Sequence, residues 1–562
     1  MLRQTLGIMR ELPRLHEIAS VFIRHGLGEF VHRIGIAGVL ERAGAILQRS
    51  PVAEAVTLDP AQRMRMALEE LGPTFVKLGQ VMATRVDLFP PRWIAEFEKL
   101  HADVPPVPFE ALLPELQRAL GRSPFEVFRE IDANARGAAS IAQVHRAKLQ
   151  DGTPVVLKVR KPGVRETIEA DLRLLRRVAE LIESEIPEAR RYRPSEIAEQ
   201  FARSLEREAD FVTETRNIER FAKNFAGDPH IIIPRIYPEW TSDVLLVQEH
   251  VEGIPATDMP AVERAGLDKK LLAARGVDAF LKMILLDGFF HADPHPGNVF
   301  YLPGNRLVII DFGMVGRLSP QRRAQVLDLL GGLARMAEEP MIEVLLDWAG
   351  DAYVDDVKLA ADVNEMVFEY EGIPLKDIRV GNVIRQFAAI VRSHSIVLPS
   401  DLSLMFKTLI TLEGLGRQYD PDFHITEHLT PLVRSALAER YQPNELMRRG
   451  RAAVNEFMDV VSSVPRDLAR FLREARRGKT RIDLDLKRLD SFGRQLDRTL
   501  DRVTVGIMTA SLVIGSAIVL NVRDGPEILG MPVLPIIGLI GYVLAFLNSL
   551  WIVYGIWRSG RE

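Results

Sequence analysis

His291-Ala292-Asp293-Pro294-His295-Pro296-Gly297-Asn298 is followed, thirteen residues after Asn298, by Asp311-Phe312-Gly313, with the apolar run Leu307-Val308-Ile309-Ile310 leading into it. The loop supplies an Asp and, five residues on, an Asn; the end of the apolar run supplies a second Asp. In phosphoryl transfer from ATP, one Asp orients or deprotonates the acceptor hydroxyl, while Asn and Asp oxygens hold Mg²⁺ against the phosphates. The metal offsets phosphate charge that would otherwise repel the carboxylates. Asp293 is therefore the candidate catalytic residue, with Asn298 and Asp311 as candidate metal ligands. A competing reading has His291, Asp293 and His295 converge on a zinc-type ion. A blander one has Asp293 and Asn298 merely cap turns. The Asp-Phe-Gly at the end of an apolar strand favours the first.

Upstream, Ala138–Lys148 and Thr153–Val159 read as two strands joined by a tight turn at Asp151-Gly152. The second carries one lysine, Lys158, in an otherwise apolar run, and its ammonium must find an edge or an anion. With the downstream loop it becomes the candidate for the α/β-phosphates. Its acidic partner is expected on the following helices, with Glu214 the choice and Asp210 and Glu208 nearby. Gly137-Ala138-Ala139-Ser140-Ile141-Ala142-Gln143-Val144-His145 would cover the phosphates, yet it has one glycine where a Gly-rich kinase loop has several. Alanine restricts positive φ and crowds the backbone against phosphate. Ordinary protein-kinase behaviour is disfavoured, and Ser140 with nearby backbone N–H groups is left to grip the nucleotide.

The chain has 562 residues, 47% of them apolar and 26% charged, and no cysteine. That excludes disulfides, thiolate metal sites and cysteine nucleophiles. A net charge of -4, with Arg mixed among acids, argues against nucleic acid as a partner. The pattern predicts helices over 59–71, 74–85, 109–120, 164–185 and 195–226, and strands near 231–237 and 243–249. A strand-rich part followed by a helix-rich part suggests two lobes with a cleft between them. Residues 1–50, with seven Arg and four Glu, read as helices either packed on the main domain or lying on an anionic membrane. Residues 448–502 read as a helical tail with fifteen Lys/Arg against nine Asp/Glu. Val503–Val522 and Ile528–Trp557 are uncharged runs of twenty and thirty residues, each long enough to span a bilayer. Arg498, Arg502, Arg558 and Arg561 flank the pair and place the large domain on the cytoplasmic side. Gly506, Ser511, Gly515, Gly538 and Gly541 would allow close helix packing within the hairpin or in a homodimer.

Taken together, these residues resemble the UbiB/ABC1/ADCK family of atypical kinases, in its bacterial UbiB form. The resemblance is carried by Lys77-Leu78-Gly79-Gln80, the Ala-rich loop, Lys158, Glu208-Ala209-Asp210, Glu214, Asp293, Asn298 and Asp311. It implies an α+β, kinase-like two-lobed fold with a helical N-terminal extension and a C-terminal transmembrane hairpin. The expected divisions are an amphipathic segment 1–56, the extension 57–127, the N-lobe 128–252, the C-lobe 253–440, the basic tail 441–502 and the hairpin 503–557. The resemblance further implies that Lys77, Gly79 and Gln80 lie over the site against Glu208 and Asp210, and that adenine meets the backbone around Glu249 and Val251. It implies ATP and Mg²⁺ as cofactors and ATPase or small-molecule kinase activity in ubiquinone biosynthesis at the inner membrane. The implied partners are the bilayer and quinone-biosynthesis proteins or lipophilic precursors. A nucleotide-gated scaffold or extractor of lipid intermediates is the alternative.

Overall fold

Alternate residues of β4 (Pro154–Arg160) face opposite sides of the sheet, which fixes where Lys158 points. Val155, Leu157 and Val159 are buried with Leu112, Leu116, Phe128, Leu245 and Val247. Lys158 therefore faces the other way, into the cleft. The computed structural model describes residues 2–34, 58–100, 105–350, 354–374 and 377–440, plus short stretches between 509 and 547. β1 (Phe128–Ile131), β2 (Gly137–Ala138), β3 (Ala142–Leu149), β4 and β6 (Leu245–Glu249) form an antiparallel sheet in the order β1-β3-β4-β6, with β2 on β3. Lys158 lies opposite Val144 on one side and Leu246 on the other. The tight turn forms as expected, with Gly152 at φ 89°.

The expected strand near 231–237 is divided: Ile236 makes an isolated antiparallel bridge to Gln248 of β6 in the first sheet, whereas Ile231–Ile232 (β5) leaves that sheet. It pairs in parallel with β10 (Arg306–Ile309), in a second sheet ordered β5-β10-β9-β7 with β9 (Val299–Leu302) and β7 (Ile254–Pro255). β8 (Phe289–His291) pairs with β11 (Val315–Arg317), where Gly316 lies so close to the Phe290 ring that a Cβ would run into it. The rest of this lobe is helical, around a core that includes Phe280, Leu281, Ile284, Phe290, Val391 and Leu402. The expected helix over 195–226 is two, Pro194–Glu208 and Phe211–Asn224. Asp210 breaks it: its side chain accepts from the Val212 amide at 3.0 Å and caps the second helix.

The extension contributes helices Pro60–Leu71, Pro73–Met82 and Pro91–Phe97. Asp59 caps the first by accepting from the Ala61 amide, and each begins with proline, whose missing N–H costs nothing in a first turn. Pro90-Pro91, expected as a stop, also opens the third helix. Leu15, Ile18, Val21 and Phe22 of the helix Leu2–Arg24 are buried with Leu68, Leu71, Phe75 and Leu174. From Leu15 onward this helix therefore packs on the main body. The extension is pinned to the C-lobe by a buried pair. Arg85 donates to both oxygens of Asp87 at 2.9 and 2.6 Å, and Asp87 also accepts from the Leu398 amide at 3.1 Å.

Residues 448–562 form a separate unit. The basic tail, 441–502, lies outside the described residues. Most of the predicted hairpin lies there too; 511–518 and 539–547 are described and helical, and Gly541 approaches the Ser516 side chain closely. Among the described residues no helix is long and apolar enough to cross a membrane, so the two full-length spans expected from the sequence are not seen.

Asp87→Ala should lower stability by roughly 3–5 kcal/mol, because it leaves a buried guanidinium and a backbone amide unpartnered. Thermal unfolding of the full chain measures this. A midpoint equal to wild type would show that the extension is held by something else.

Candidate active site

Lys158 Nζ lies 2.8 and 2.9 Å from the two oxygens of Glu214 and 3.0 Å from Asp311 Oδ1. Three elements meet at this ammonium: β4, the first turn of Phe211–Asn224, and the turn after β10. Glu214 is almost wholly buried, with 3% of its side chain exposed, whereas half of the Asp311 side chain faces solvent. One cation thus faces two acids. Burial, reinforced by neighbouring Asp311 and opposed by Lys158, pushes Glu214 up to about 7. Lys158 holds Asp311 well below the usual carboxylate range despite partial desolvation. Burial disfavours the charged form of Lys158, but Asp311 and then Glu214 outweigh it and raise its pKa. Asp311 and Lys158 stay charged near neutrality, and Glu214 is the member able to take up a proton.

Asp311 is held at φ 59°, an uncommon conformation for a residue with a side chain, though Asp tolerates it better than most. Its Oδ1 also accepts from the Gly313 amide at 3.3 Å. Asn298 Nδ2 donates to the Asp293 carbonyl and to Asp293 Oδ2, both at 3.2 Å. That leaves Asn298 Oδ1 as the amide's remaining acceptor. A carboxylate kept ionised and a carboxamide oxygen are hard donors that fit Mg²⁺. The zinc-type alternative does not form. His291 is buried, its Nδ1 accepts from the Asp293 amide at 3.1 Å and its Nε2 lies 3.3 Å from the Ile310 carbonyl. His295 Nδ1 instead accepts from the Gly297 amide at 3.0 Å. Among the described residues no three His, Cys, Asp or Glu side chains are grouped to hold a metal.

Lys77 reaches into the same acidic field from the extension, 2.6 Å from Glu208. Burial disfavours its charge, but Glu208 first, then Asp311 and Asp293, raise its pKa overall. Gly79 lets its helix settle onto Leu100, since a Cβ there would collide with the Leu100 side chain. Gln80 does not join the acids; its Nε2 donates to the Leu100 carbonyl at 3.0 Å. Asp210 is occupied as a helix cap.

Gly137 to Ala142 form a turn closed by the Ala139 amide on the Ala142 carbonyl at 2.8 Å, with Ser140 and Ile141 buried. The side chains of Gln143 and His145 turn away from the cleft. Gln143 Oε1 accepts from the Val107 amide at 2.9 Å, and His145 Nδ1 lies 2.8 Å from the Asp132 carbonyl. Val144 and Lys158 are cross-strand neighbours. Glu249 closes β6 and accepts from the Arg235 amide at 3.1 Å, just before the segment through Val251 that joins the lobes.

The ABC1 atypical kinase-like domain matches residues 99–345, the UbiB helical domain 363–424, and the ABC1/UbiB kinase-like C-terminal domain 487–558. A protein of Marinobacter nauticus named "Probable protein kinase UbiB" is 34% identical over 448 residues, covering 78% of this chain and 81% of its own length. One of the same name from Vibrio atlanticus is 32% identical over 528 residues, covering 91% and 94%. This chain belongs to the UbiB family. A solved complex of Rv3197 with erythromycin from Mycobacterium tuberculosis is a looser likeness, with a TM-score of 0.44 at 20% identity over 70% of this chain and 96% of that one.

Two residues of this UbiB-family site escaped the sequence reading. Asn217 is buried and donates to the Phe312 carbonyl at 3.1 Å, bracing the turn that carries Asp311. It sits three residues after Glu214 on one helix face, a spacing that could have exposed it. Lys407, on the helix Ser400–Tyr419, is pushed down by burial while Asp293 and Glu98 oppose the shift. The next residue, Thr408, donates to the Ala292 carbonyl at 3.3 Å. Nothing local in the sequence ties that helix to Asp293.

Lys158→Met strands Glu214 and Asp311 together and should cost about 3–5 kcal/mol at about pH 8. Removing the lysine raises Glu214 further above its unfolded value. Below about 7 Glu214 is protonated in both folded forms, so its contribution to the gap appears only as pH rises above that value, where wild type ionises it against a cation and the variant does not. Unfolding midpoints of wild type and Lys158→Met should draw apart as pH rises above about 7 and differ by a steady amount between about pH 5 and 7, where ionised Asp311 still lacks its cation. A gap that is constant with pH would refute the assignment of the proton to Glu214.

Proposed function

We propose that this protein is an atypical kinase or ATPase that hydrolyses ATP, or transfers its terminal phosphoryl group, in support of ubiquinone biosynthesis at a membrane. The observation that carries the reading is Lys158 held between Glu214 and Asp311, beside a loop that joins Asn298 to Asp293. Lys158 would contact the α/β-phosphates, and Glu214 would hold it in place. Asp293, fixed by the Asn298 amide and by its own amide on His291, would orient the attacking water or hydroxyl and accept its proton. Asn298 and Asp311 would hold Mg²⁺, which when bound neutralises phosphate charge. The turn at 137–142 would cover the phosphates and the backbone around Glu249 and Val251 would meet adenine. The pathway is supported by the family alone. Attachment to a bilayer is supported by the apolar runs over 503–557 and by the exposure of Ile514, Ile518, Leu539, Ile540, Phe546 and Leu547 in the described stretches.

A second reading has one observation in its favour. Lys77 enters the acidic field from a helix that Leu100 and the Arg85–Asp87 pair hold in place, which leaves little room for a folded protein substrate. On that reading nucleotide turnover resets a scaffold or an extractor of lipid intermediates.

Asp293→Asn should lower ATP turnover by about 10²–10⁴-fold while leaving nucleotide affinity within a few fold. Phosphate release and equilibrium binding, measured on the same preparation, check this. Wild-type turnover in the variant would remove Asp293 from the mechanism. In a strain lacking the gene, quinone should fall and a precursor should accumulate, with rescue by wild type but not by Asp293→Asn. Unchanged quinone would defeat the pathway assignment. Radiolabelled γ-phosphate appearing on a lipid or protein acceptor would decide against the scaffold.

A further inference from the structure

Beyond the Asp311 turn two guanidinium groups stand over one ring, and a third lies within electrostatic reach of them. Arg220, on Phe211–Asn224, lies 4.3 Å from the centre of the Phe289 ring, and Arg317, ending β11, lies 5.3 Å from the same centre. Arg207, in the last turn of Pro194–Glu208, is close enough to disfavour the charge on Arg317. Among the described residues none of the three has a carboxylate within ion-pair distance, whereas neighbouring Arg203 lies 3.3 Å from Glu199. All three are exposed, which screens their mutual repulsion, and an anion seated beside them gains charge-assisted hydrogen bonds. Planar guanidiniums suit a phosphate, to which each can donate twice.

Two of these arginines rim a cavity. Arg207 and Arg317 line one end of a space of about 1030 Å³. Its walls are otherwise largely apolar and include Ile18, Phe22, Leu68, Leu78, Val178 and Ile182. This is at the upper limit of pockets that bury small molecules, roughly 300–1,000 Å³. Two acids also line it. Glu208 is held by Lys77 at 2.6 Å, and Asp401 is pushed toward its neutral form by burial, with Arg322 opposing. Neither is paired with the arginines at the rim. Gly313, Met314 and Val315, which directly follow the Asp311 turn, form part of the wall.

We propose that this cavity binds a single-chain lipid phosphate, its tail among the extension helices and its phosphate on Arg207 and Arg317, with Arg220 adding positive charge beside Arg317. An apolar volume closed by a cationic rim selects an amphiphile over a purely apolar ligand, which would leave the arginines unmatched. It also selects it over a free phosphate, which would leave the cavity unfilled. The site stands independently of ATP turnover. Its occupant would touch the chain segment that carries Asp311, so binding would brace one wall of the nucleotide cleft.

The test is displacement of a fluorescent lysophosphatidic acid from the full chain. Unlabelled lysophosphatidic acid, a monoacylglycerol of the same chain length, and inorganic phosphate serve as competitors. Lysophosphatidic acid should compete at least about tenfold better than monoacylglycerol, the discrimination expected of charge-assisted hydrogen bonds, and better still than phosphate. Arg317→Ala and Arg207→Ala should each weaken lysophosphatidic acid by about tenfold and leave monoacylglycerol unchanged. Ala198→Phe, which fills the cavity without touching the rim, should weaken both lipids. Unfolding midpoints establish that each variant is folded, and Arg207→Ala and Ala198→Phe still decide the matter if Arg317→Ala is not. Equal competition by monoacylglycerol would overturn phosphate recognition. Equal competition by inorganic phosphate would reduce the site to an anion patch. Undiminished binding in Ala198→Phe would place the tail elsewhere and overturn the proposal.

Discussion

Lys158 between Glu214 and Asp311 is the constraint around which the rest of the molecule is arranged. A buried ammonium loses several kcal/mol of hydration and is tolerated only when its hydrogen bonds are well met. Meeting them requires β4 to keep its alternation, the helix Phe211–Asn224 to start where it does, and the turn after β10 to hold Asp311 at positive φ. Each condition is supported by something ordinary. Val155, Leu157 and Val159 anchor the far face of β4. The Asp210 cap fixes the helix start, placing Glu214 in its first turn. Asn217 and the packing of Phe312 against Phe221, with ring centres 4.8 Å apart, fix the turn. Two carboxylates on one cation would make a poor device for stability alone. As a holder that keeps a cation in place for phosphate, the arrangement is sensible.

The extension adds a second cation to the same field. Lys77 and Lys158 are set against Glu208, Glu214, Asp293 and Asp311. Carboxylates outnumber ammonium groups, so a bare triphosphate would meet net repulsion. The nucleotide can enter only with cations of its own or with carboxylates neutralised. Glu214, held near the top of the carboxylate range, is the group that can neutralise at least cost. The same excess explains why Lys77 tolerates a nearly enclosed position: the acids around it offset its lost hydration.

The sequence made the strongly periodic elements legible, together with the charged residues at their ends. The Lys158 strand, the helices over 59–71 and 109–120, and the loop from His291 to Asp311 fall where period and breakers put them. The features it hid depend on partners far along the chain. Ile231–Ile232 has the same composition in either sheet, and only Leu307 and Val308 draw it into the second. The break at Ala209-Asp210 is silent because both helices share an amphipathic pattern, and the cap shows only once Asp210 is seen turned back on Val212. Arg85 and Asp87 look like ordinary loop charges until Leu398, more than three hundred residues away, donates to Asp87. At the site itself, Gln80 and Asp210 belong to a recognisable motif, yet one supports the Leu100 backbone and the other caps a helix. A motif preserves residues both for chemistry and for the scaffold that aims the chemistry, and sequence alone does not separate the two.

The segment from Asp311 to Arg317 joins these themes physically. Its first residue contacts Lys158, its second is packed in the core, and its last stands over Phe289 beside Arg220. The whole segment is seven residues long, and β11 is tied to β8, whose last residue, His291, supports Asp293. Gly316 must stay close to Phe290 for that pairing to exist. A displacement at either end would therefore have little slack to absorb it. A strained φ at Asp311 costs on the order of 1–3 kcal/mol and persists only while its surroundings enforce it. Those surroundings include Asn217, Phe312 and the strand that ends at Arg317. Whatever seats on the arginine rim thus acts on the enforcement of Asp311's geometry, through bonded neighbours and without a long chain of intermediates.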